Sequence, residues 1–199
     1  SKLACTSDGK TLISASYDHT VRLWDTSASA TGEEKLVLNA MAIADAERRK
    51  NNGAKVPPAM PATVGVVKSS QVFGAHKEWI ISLDLSRDGK TVISGDDGGH
   101  VIIWDREART VTKRWQAKGW VYGLALSPDK KQACVCERLP VVFDNARHAA
   151  VKLWNTATGE STHDLSAEFK GMHMGSAAYS PDGKVLAIGR GGESEGQVS

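Results

Sequence analysis

Residues 86–105 read Ser-Arg-Asp-Gly-Lys-Thr-Val-Ile-Ser-Gly-Asp-Asp-Gly-Gly-His-Val-Ile-Ile-Trp-Asp. Two short apolar runs, residues 91–95 and 101–104, each follow a cluster that contains Asp and Gly. Asp and Gly supply the side-chain hydrogen bonds and the backbone freedom that a tight reversal needs. Apolar, β-branched runs bounded by such clusters are typical of strands. The segment therefore predicts a turn, a strand, a second turn and a second strand.

Both halves of this segment recur along the chain. The Asp-containing turn returns at residues 6–10, 86–90, 127–131 and 180–184, and the run ending in Trp returns at residues 21–25, 101–105 and 151–155. Asp8 precedes Trp24 by 16 residues, as Asp88 precedes Trp104, and Asp88 to Asp129 is 41 residues. A period of about 40–45 residues is typical of the blades of a β-propeller.

With Gly74-Ala75-His76 ahead of the second turn, the repeated pattern resembles the WD40 family. The resemblance implies an all-β, WD40-type β-propeller fragment of about three and a half four-stranded blades. The repeats are expected at about 1–25 (partial), 62–105, 107–155 and 158–199 (partial). Propellers close with about 4–8 blades, so we expect the remaining blades in the parent chain. The chain begins at Ser1 without a Met or an apolar signal segment, and we expect its true N-terminus to be missing.

Two insertions interrupt the repeats. Residues 30–61 are expected to be a helical and linker insertion, with a helix over about 34–51, because Ala, Leu and Met dominate residues 35–50. This helix is either a partner-docking element or a helix packed on the propeller rim. Residues 138–149 form a loop insertion, in which Arg147 and His148 either contact a ligand or belong to an ordinary surface loop.

Composition excludes several function classes. A net charge of +2, from 25 basic and 23 acidic side chains, does not indicate nucleic-acid or membrane binding, and no apolar run reaches the roughly 18 residues that a spanning helix needs. Cys134 and Cys136 flank Val135 and are read as small buried hydrophobic residues, because no further metal ligand stands near them.

Enzyme motifs are incomplete. Residues 9–11 and 89–91 read Gly-Lys-Thr, as at the end of a phosphate-binding loop, but the earlier glycine is missing and each triplet leads into a strand. We therefore expect no catalytic residues, no metal site and no cofactor.

The resemblance also implies a buried polar network that links a histidine, a strand hydroxyl, a turn aspartate and the Trp. Carried over, these are His76, Ser94, Asp97 and Trp104; Asp97 is the aspartate nearest the matching position, which is Gly98. The first repeat offers Ser14, Asp18 and Trp24, and the third offers Trp154 but has Ala117 in place of the histidine. We read His76 as structural rather than catalytic and expect the third and fourth repeats to rely on packing alone.

Candidate partner-binding residues come from another shared position. Trp79, Trp120 and His173 each stand nine residues before a turn Asp. In the family, this is where the chain enters the innermost strand at the top face. Lys77 and Lys118 stand two residues before the Trps and would add positive charge. The Trps either recognise a partner, as large rigid side chains suit, or are wedged between blades.

The function implied by this resemblance is a non-catalytic protein–protein interaction scaffold. An alternative is a propeller module of a larger multidomain enzyme, or a small-ligand binder that uses the central channel. The missing histidines and long insertions favour a divergent, bacterial member of the family.

Overall fold

The computed structural model describes residues 2–25, 69–139, 149–169, 173–191 and 196–198. These residues form strands and one short 3-10 helix, Ser166–Phe169. The strands are β1 (Lys2–Cys5), β2 (Thr11–Ala15), β3 (Thr20–Asp25), β4 (Ser69–Gly74), β5 (Ile80–Leu85), β6 (Thr91–Asp96), β7 (His100–Asp105), β8 (Thr110–Gln116), β9 (Trp120–Leu126), β10 (Gln132–Arg138), β11 (Ala149–Asn155), β12 (Ser161–Asp164), β13 (His173–Tyr179), β14 (Leu186–Gly191) and β15 (Gly196–Val198).

The strands assemble into four antiparallel sheets, and within each sheet the strands follow chain order. The sheets are β1–β4, β5–β8 and β9–β12, with four strands each, and β13–β15, with three. Neighbouring sheets contact one another chiefly through their first two strands, β1 and β2 against β5, β5 and β6 against β9, and β9 and β10 against β13. The predicted all-β fold with four-stranded blades is confirmed. The whole 30–61 insertion, with the helix expected at 34–51, and residues 140–148 of the loop insertion lie outside the described residues.

The outer strand of the first blade comes from the next repeat in the sequence. β4 directly precedes Ala75 and His76, yet it pairs with β3, with Thr20 opposite Gly74 and Trp24 opposite Ser69. β8 pairs with β7 in the same way. A blade is therefore offset from the sequence repeat by one strand, and each blade is tied to the next one by the chain itself.

The recurring Asp turns share one hydrogen-bond pattern. In each turn a Ser or Thr hydroxyl donates to the Asp two residues later, at 2.6–2.7 Å, and accepts the N–H of the residue five positions later, at 2.8–3.0 Å. The residue after the Asp has φ near +70° at Gly9, Gly89 and Gly183, a conformation that favours glycine. Lys130 adopts φ 62° at the corresponding position. This geometry explains why the pattern Ser/Thr-x-Asp-Gly repeats.

The core consists of apolar layers between adjacent blades. The layer between the first and second blades contains Ile13, Ala15, Val21, Leu23, Ile80, Val92, Ile102 and Trp104. The layer between the second and third contains Ile93, Val101, Ile103, Trp115, Val121, Leu124, Ala133 and Val135. The layer between the third and fourth contains Ala125, Cys134, Cys136, Val151, Phe169 and Ile188. Successive side chains of a strand point to opposite faces of the sheet, so each blade contributes side chains to the apolar layers on both of its faces.

Candidate functional site

The second blade contains a buried polar network. His76 Nδ1 lies 2.7 Å from Asp96 Oδ2, and His76 Nε2 lies 2.7 Å from Ser94 Oγ. Trp104 Nε1 donates to the same Ser94 Oγ at 2.9 Å. One arrangement of hydrogens satisfies every atom, with Nδ1–H donating to Asp96 and the Ser94 hydroxyl donating to Nε2. His76 and Asp96 side chains are fully buried, so this chain of bonds holds the strands together and faces no open site.

The aspartate of this network is Asp96, and the prediction of Asp97 was wrong. Asp96 stands two residues after Ser94 at the end of β6, so both side chains point to the same face of the strand. Asp97 lies in the turn, where its Oδ1 accepts the N–H of Trp79 at 2.9 Å. Burial raises the pKa of Asp96, but hydrogen bonds from His76 and His100 outweigh burial, and the net pKa lies below its usual value. The i, i+2 spacing from Ser94 was the sequence signal for Asp96.

The first blade keeps only half of this arrangement among the described residues. Trp24 Nε1 donates to Ser14 Oγ at 2.9 Å, as Trp104 does to Ser94. Asp18 does not join them. It lies in the β2–β3 turn, accepts the N–H and hydroxyl of Thr20, and pairs with Arg22. The placement of Asp18 in the network was therefore wrong, because its side chain closes its own turn.

The third blade replaces the network with a buried acid. Val135 stands where Ser94 stands, and Trp154 Nε1 is buried without a hydrogen-bond partner among the described residues. Trp154 instead stacks on Trp115, with ring centroids 5.9 Å apart. Glu137, at the position of Asp96, is fully buried, and its Oε2 accepts the N–H groups of Lys118 and Gly119. Burial raises the pKa of Glu137 against the lowering effect of these two bonds. The third repeat thus does not rely on packing alone.

Two aromatic side chains are exposed beside the β6–β7 turn. Trp79 is 53% exposed, and its ring lies 5.2 Å from that of Tyr17, which belongs to the β2–β3 turn of the first blade. The main chain at Trp79 is fixed at both polar groups, because Asp97 accepts its N–H and the N–H of Asp97 donates to its carbonyl. Lys77 is exposed next to it. Trp79 thus lies at the surface, half exposed and in contact with Tyr17 of the adjacent blade.

Trp120 lies at the same end of the molecule. The N–H of Ala117 donates to the carbonyl of Gly99, so the β6–β7 turn contacts the segment that leads into β9. Trp120 is 44% exposed, and its ring centroid lies 5.4 Å from the guanidinium carbon of Arg138. Lys118 is also exposed. Tyr17 and Arg138 were not predicted, because their contacts join segments far apart in the sequence.

His173 has a described backbone but its side chain lies outside the described residues. It is the first residue of β13 and pairs with Gly191 at the end of β14, as Trp120 pairs with Arg138 at the end of β10. His173 thus holds the same strand position as Trp120. We call the surface formed by Tyr17, Lys77, Trp79, Lys118, Trp120 and Arg138 the aromatic end.

The opposite end carries the Asp turns and two cavities of about 440 and 320 Å³. The lining of the 440 Å³ cavity includes the turn residues Asp129 and Asp182, which already accept the hydroxyl groups of Ser127 and Ser180. Within the described ranges, no three His, Cys, Asp or Glu side chains stand close enough together to hold a metal ion. Likewise, none of the helices that the structure describes is long and apolar enough to cross a bilayer.

Sequence comparison adds a family match. The WD40 family, described as "WD domain, G-beta repeat", matches residues 1–25 and 67–105. These two ranges end at the Trp-Asp pairs of β3 and β7 and include the hydrogen-bonded pairs Ser14–Trp24 and Ser94–Trp104.

Several curated proteins are similar to the chain. "Target of rapamycin complex subunit wat1" from Schizosaccharomyces pombe is 24% identical over 89% of this chain and 55% of its own length. "Small ribosomal subunit protein RACK1" from the same yeast is 25% identical over 57% of this chain and 35% of its own length. "Lissencephaly-1 homolog" from Caenorhabditis briggsae is 25% identical over 57% of this chain and 27% of its own length. The chain thus spans about half, or less, of the relatives it matches. These relatives are eukaryotic and give no support to the expected bacterial origin.

Proposed function

Because the chain belongs to the WD40-repeat family, we propose that it is a non-catalytic protein–protein interaction scaffold whose aromatic end contacts a protein partner. The main support for this proposal is that Trp79 and Trp120, at one end of adjacent blades, are each about half exposed. Large aromatic side chains that are already fixed in place lose little entropy on binding and are enriched among residues that dominate interface energies.

The way these side chains are held supports the proposal. Asp97 fixes the backbone of Trp79, and Glu137 fixes the backbone immediately before Trp120. Each Trp also has a ring neighbour, Tyr17 at Trp79 and Tyr122 at Trp120. A surface held in one conformation avoids the cost of ordering it on association.

The relatives agree with a role in assemblies. The name of one relative describes it as a subunit of a target of rapamycin complex, and the name of another as a protein of the small ribosomal subunit. By analogy we propose that this chain, too, has protein partners and that nucleic acid and membranes are not its ligands. The buried His76 network then contributes stability and not chemistry, since none of its polar atoms is exposed to a substrate.

A capture experiment with a double variant tests the proposal. The chain is immobilised, proteins are captured from a cell extract, and mass spectrometry identifies those lost by Trp79→Ala plus Trp120→Ala. We expect at least one protein bound by the wild type to be lost by the double variant and kept by Val185→Ala. Val185 is the matched control because it is apolar, 61% exposed and adjacent to the Asp turn of the opposite end.

Circular dichroism should show the same fold in all three proteins. If every captured protein stays bound to the folded double variant, the aromatic end is not the docking surface.

A further inference from the structure

The third blade combines an exposed aromatic ring with two cationic residues, one against the ring and one two positions before it in the sequence. Arg138 and Trp120 are opposite each other across β10 and β9, and the guanidinium carbon lies 5.4 Å from the ring centroid. Lys118 is exposed two residues before Trp120. Tyr122 extends the apolar surface, with its ring centroid 6.1 Å from that of Trp120. We call Lys118, Trp120, Tyr122 and Arg138 the cationic-aromatic cluster.

The acid next to Arg138 in the sequence does not reach the surface. Glu137 immediately precedes Arg138, but its carboxyl group is buried and binds the backbone of residues 118 and 119. Among the described residues, neither Lys118 nor Arg138 forms an ion pair with a carboxylate. The cluster therefore presents positive charge that the described part of the chain does not neutralise.

The main chain beneath the cluster is rigid. A Cβ added at Gly119 would lie 2.4 Å from the carbonyl oxygen of Arg138, so the segment 118–120 passes directly against the end of β10. Together with the two bonds to Glu137, this close approach fixes the spacing between Lys118 and Arg138. A guanidinium against an aromatic ring, with an exposed lysine two residues before that ring, favours a ligand that combines carboxylates with an apolar group.

The other half of the aromatic end differs in charge. Lys77 is followed by Glu78, and Asp97 lies against the backbone of Trp79, so acidic and basic groups alternate there. The positive charge is concentrated on the third blade, whereas the Tyr17–Trp79 pair offers mainly apolar surface.

We propose that the cationic-aromatic cluster binds an acidic peptide segment of a protein partner, with carboxylates at Lys118 and Arg138 and an apolar side chain on Trp120. This inference rests on the proposed scaffold function and specifies the chemistry of the partner. A peptide is favoured over a nucleic acid or a lipid surface because the net charge of the chain is only +2 and the cluster contains two cations, which is few for a polyanion or membrane.

The test measures fluorescence anisotropy of a labelled peptide of alternating Glu and Leu, and of the same peptide with every Glu replaced by Gln. We expect the acidic peptide to bind the full chain and the Gln peptide to bind about tenfold more weakly or worse. Arg138→Gln should weaken binding of the acidic peptide by about tenfold, as expected for the loss of one charge-assisted contact. Lys118→Gln should act in the same direction, and added salt should weaken binding.

Lys131→Gln is the matched control, because Lys131 is an exposed lysine in the Asp turn at the opposite end. Equal binding of the two peptides, no binding at millimolar acidic peptide, or equal effects of Arg138→Gln and Lys131→Gln would each overturn the proposal. Tighter binding of phosphatidylserine vesicles or of a single-stranded oligonucleotide, lost on Arg138→Gln, would overturn the assignment to a peptide.

The capture experiment separates this inference from the scaffold proposal. If the Trp79 and Trp120 double variant loses a protein that Arg138→Gln retains, the scaffold function stands and the acidic-peptide inference fails. If neither variant loses any protein, both fail.

Discussion

Glu137 is a buried carboxyl group with one oxygen engaged by two backbone N–H groups and the other without a partner among the described residues. Burial raises the pKa of Glu137 in the folded chain, while in the unfolded chain the pKa of a Glu is about 4.3. Below that pH both states hold the proton and the shift contributes nothing to stability. As the pH rises from about 4.3 through the folded pKa, the unfolded state loses its proton first, so folding is progressively penalised.

Glu137→Gln should remove this penalty. An amide oxygen can still accept the N–H groups of Lys118 and Gly119, but the side chain no longer titrates. Urea unfolding of both proteins between pH 4 and pH 8 should show that the variant lacks the part of the stability loss that begins near pH 4.3. Glu160→Gln, at an exposed position, should follow the wild type. A Glu137→Gln curve parallel to that of the wild type would contradict this account.

The family resemblance predicted some residues of the buried network and missed others. His76, Ser94 and Trp104 came from the family resemblance, and they are hydrogen-bonded to one another. Choosing between the consecutive Asp96 and Asp97 required the direction of each side chain at the end of β6, which the resemblance did not supply. Glu137 was missed because an acid at the end of an apolar strand normally indicates a solvent-exposed strand end.

At the scale of single elements, β6 and β10 are equivalent strands with one informative difference. Trp104 is opposite Val92 of β6, and its indole N–H donates to Ser94, two residues after Val92. Trp154 is opposite Ala133 of β10, so Val135 holds the position that corresponds to Ser94. A hydroxyl at that position could accept the N–H of Trp154, which has no hydrogen-bond partner in the part of the chain that the structure describes. Within the described ranges, Trp154 on β11 therefore lacks an acceptor because β10 has Val135 where β6 has Ser94.

Val135→Ser and Val135→Ala isolate this donor. Both remove apolar side-chain groups from a fully buried position and should destabilise the chain by about 2 kcal/mol through lost burial and a small cavity. Only Ser can accept the N–H of Trp154, so Val135→Ser should be more stable than Val135→Ala by about 1 kcal/mol. Denaturant unfolding measures the difference. A Ser variant less stable than the Ala variant would show that the indole does not reach position 135.

Most elements were predictable because turns and strands depend on local chemistry. The predicted runs at residues 21–25, 101–105 and 151–155 lie within β3, β7 and β11, since the Asp turns and the β-branched residues act over a few positions. The offset between repeat and blade was not predicted. The offset depends on the pairing of β4 with β3, and these two strands are far apart in the sequence.

For the molecule as a whole, stability depends on how blades are joined. Beyond the apolar layers, side-chain hydrogen bonds cross between blades, and two of them join the second and third. Asp84 Oδ2 accepts the N–H of Leu126 at 2.7 Å in a partly buried setting, and Lys130 Nζ donates to Asp88 at 2.8 Å on the surface. In a repeat array, such nearest-neighbour contacts determine whether the blades unfold together.

Asp84→Ala should destabilise the molecule by about 1–3 kcal/mol, because the N–H of Leu126 loses its acceptor. Hydrogen exchange at the Leu126 amide should accelerate, and the unfolding transition should broaden as the second and third blades uncouple. Lys130→Ala is the matched control, since it breaks an exposed link between the same two blades and should cost at most about 1 kcal/mol. Equal effects of the two variants would show that the buried bond does not couple the blades.

The pairing of β3 with β4 has a practical meaning for engineering. Trp24 and Ser69 are opposite each other on adjacent antiparallel strands, although 44 positions separate them in the sequence. Directly opposite Cα atoms in such a pair are about 5 Å apart. A foreign domain grafted in place of residues 26–68 would therefore need only termini that lie close together, and its two junctions would sit on a single blade. The chain thus offers a fusion point at which cargo can be displayed without separating one blade from the next.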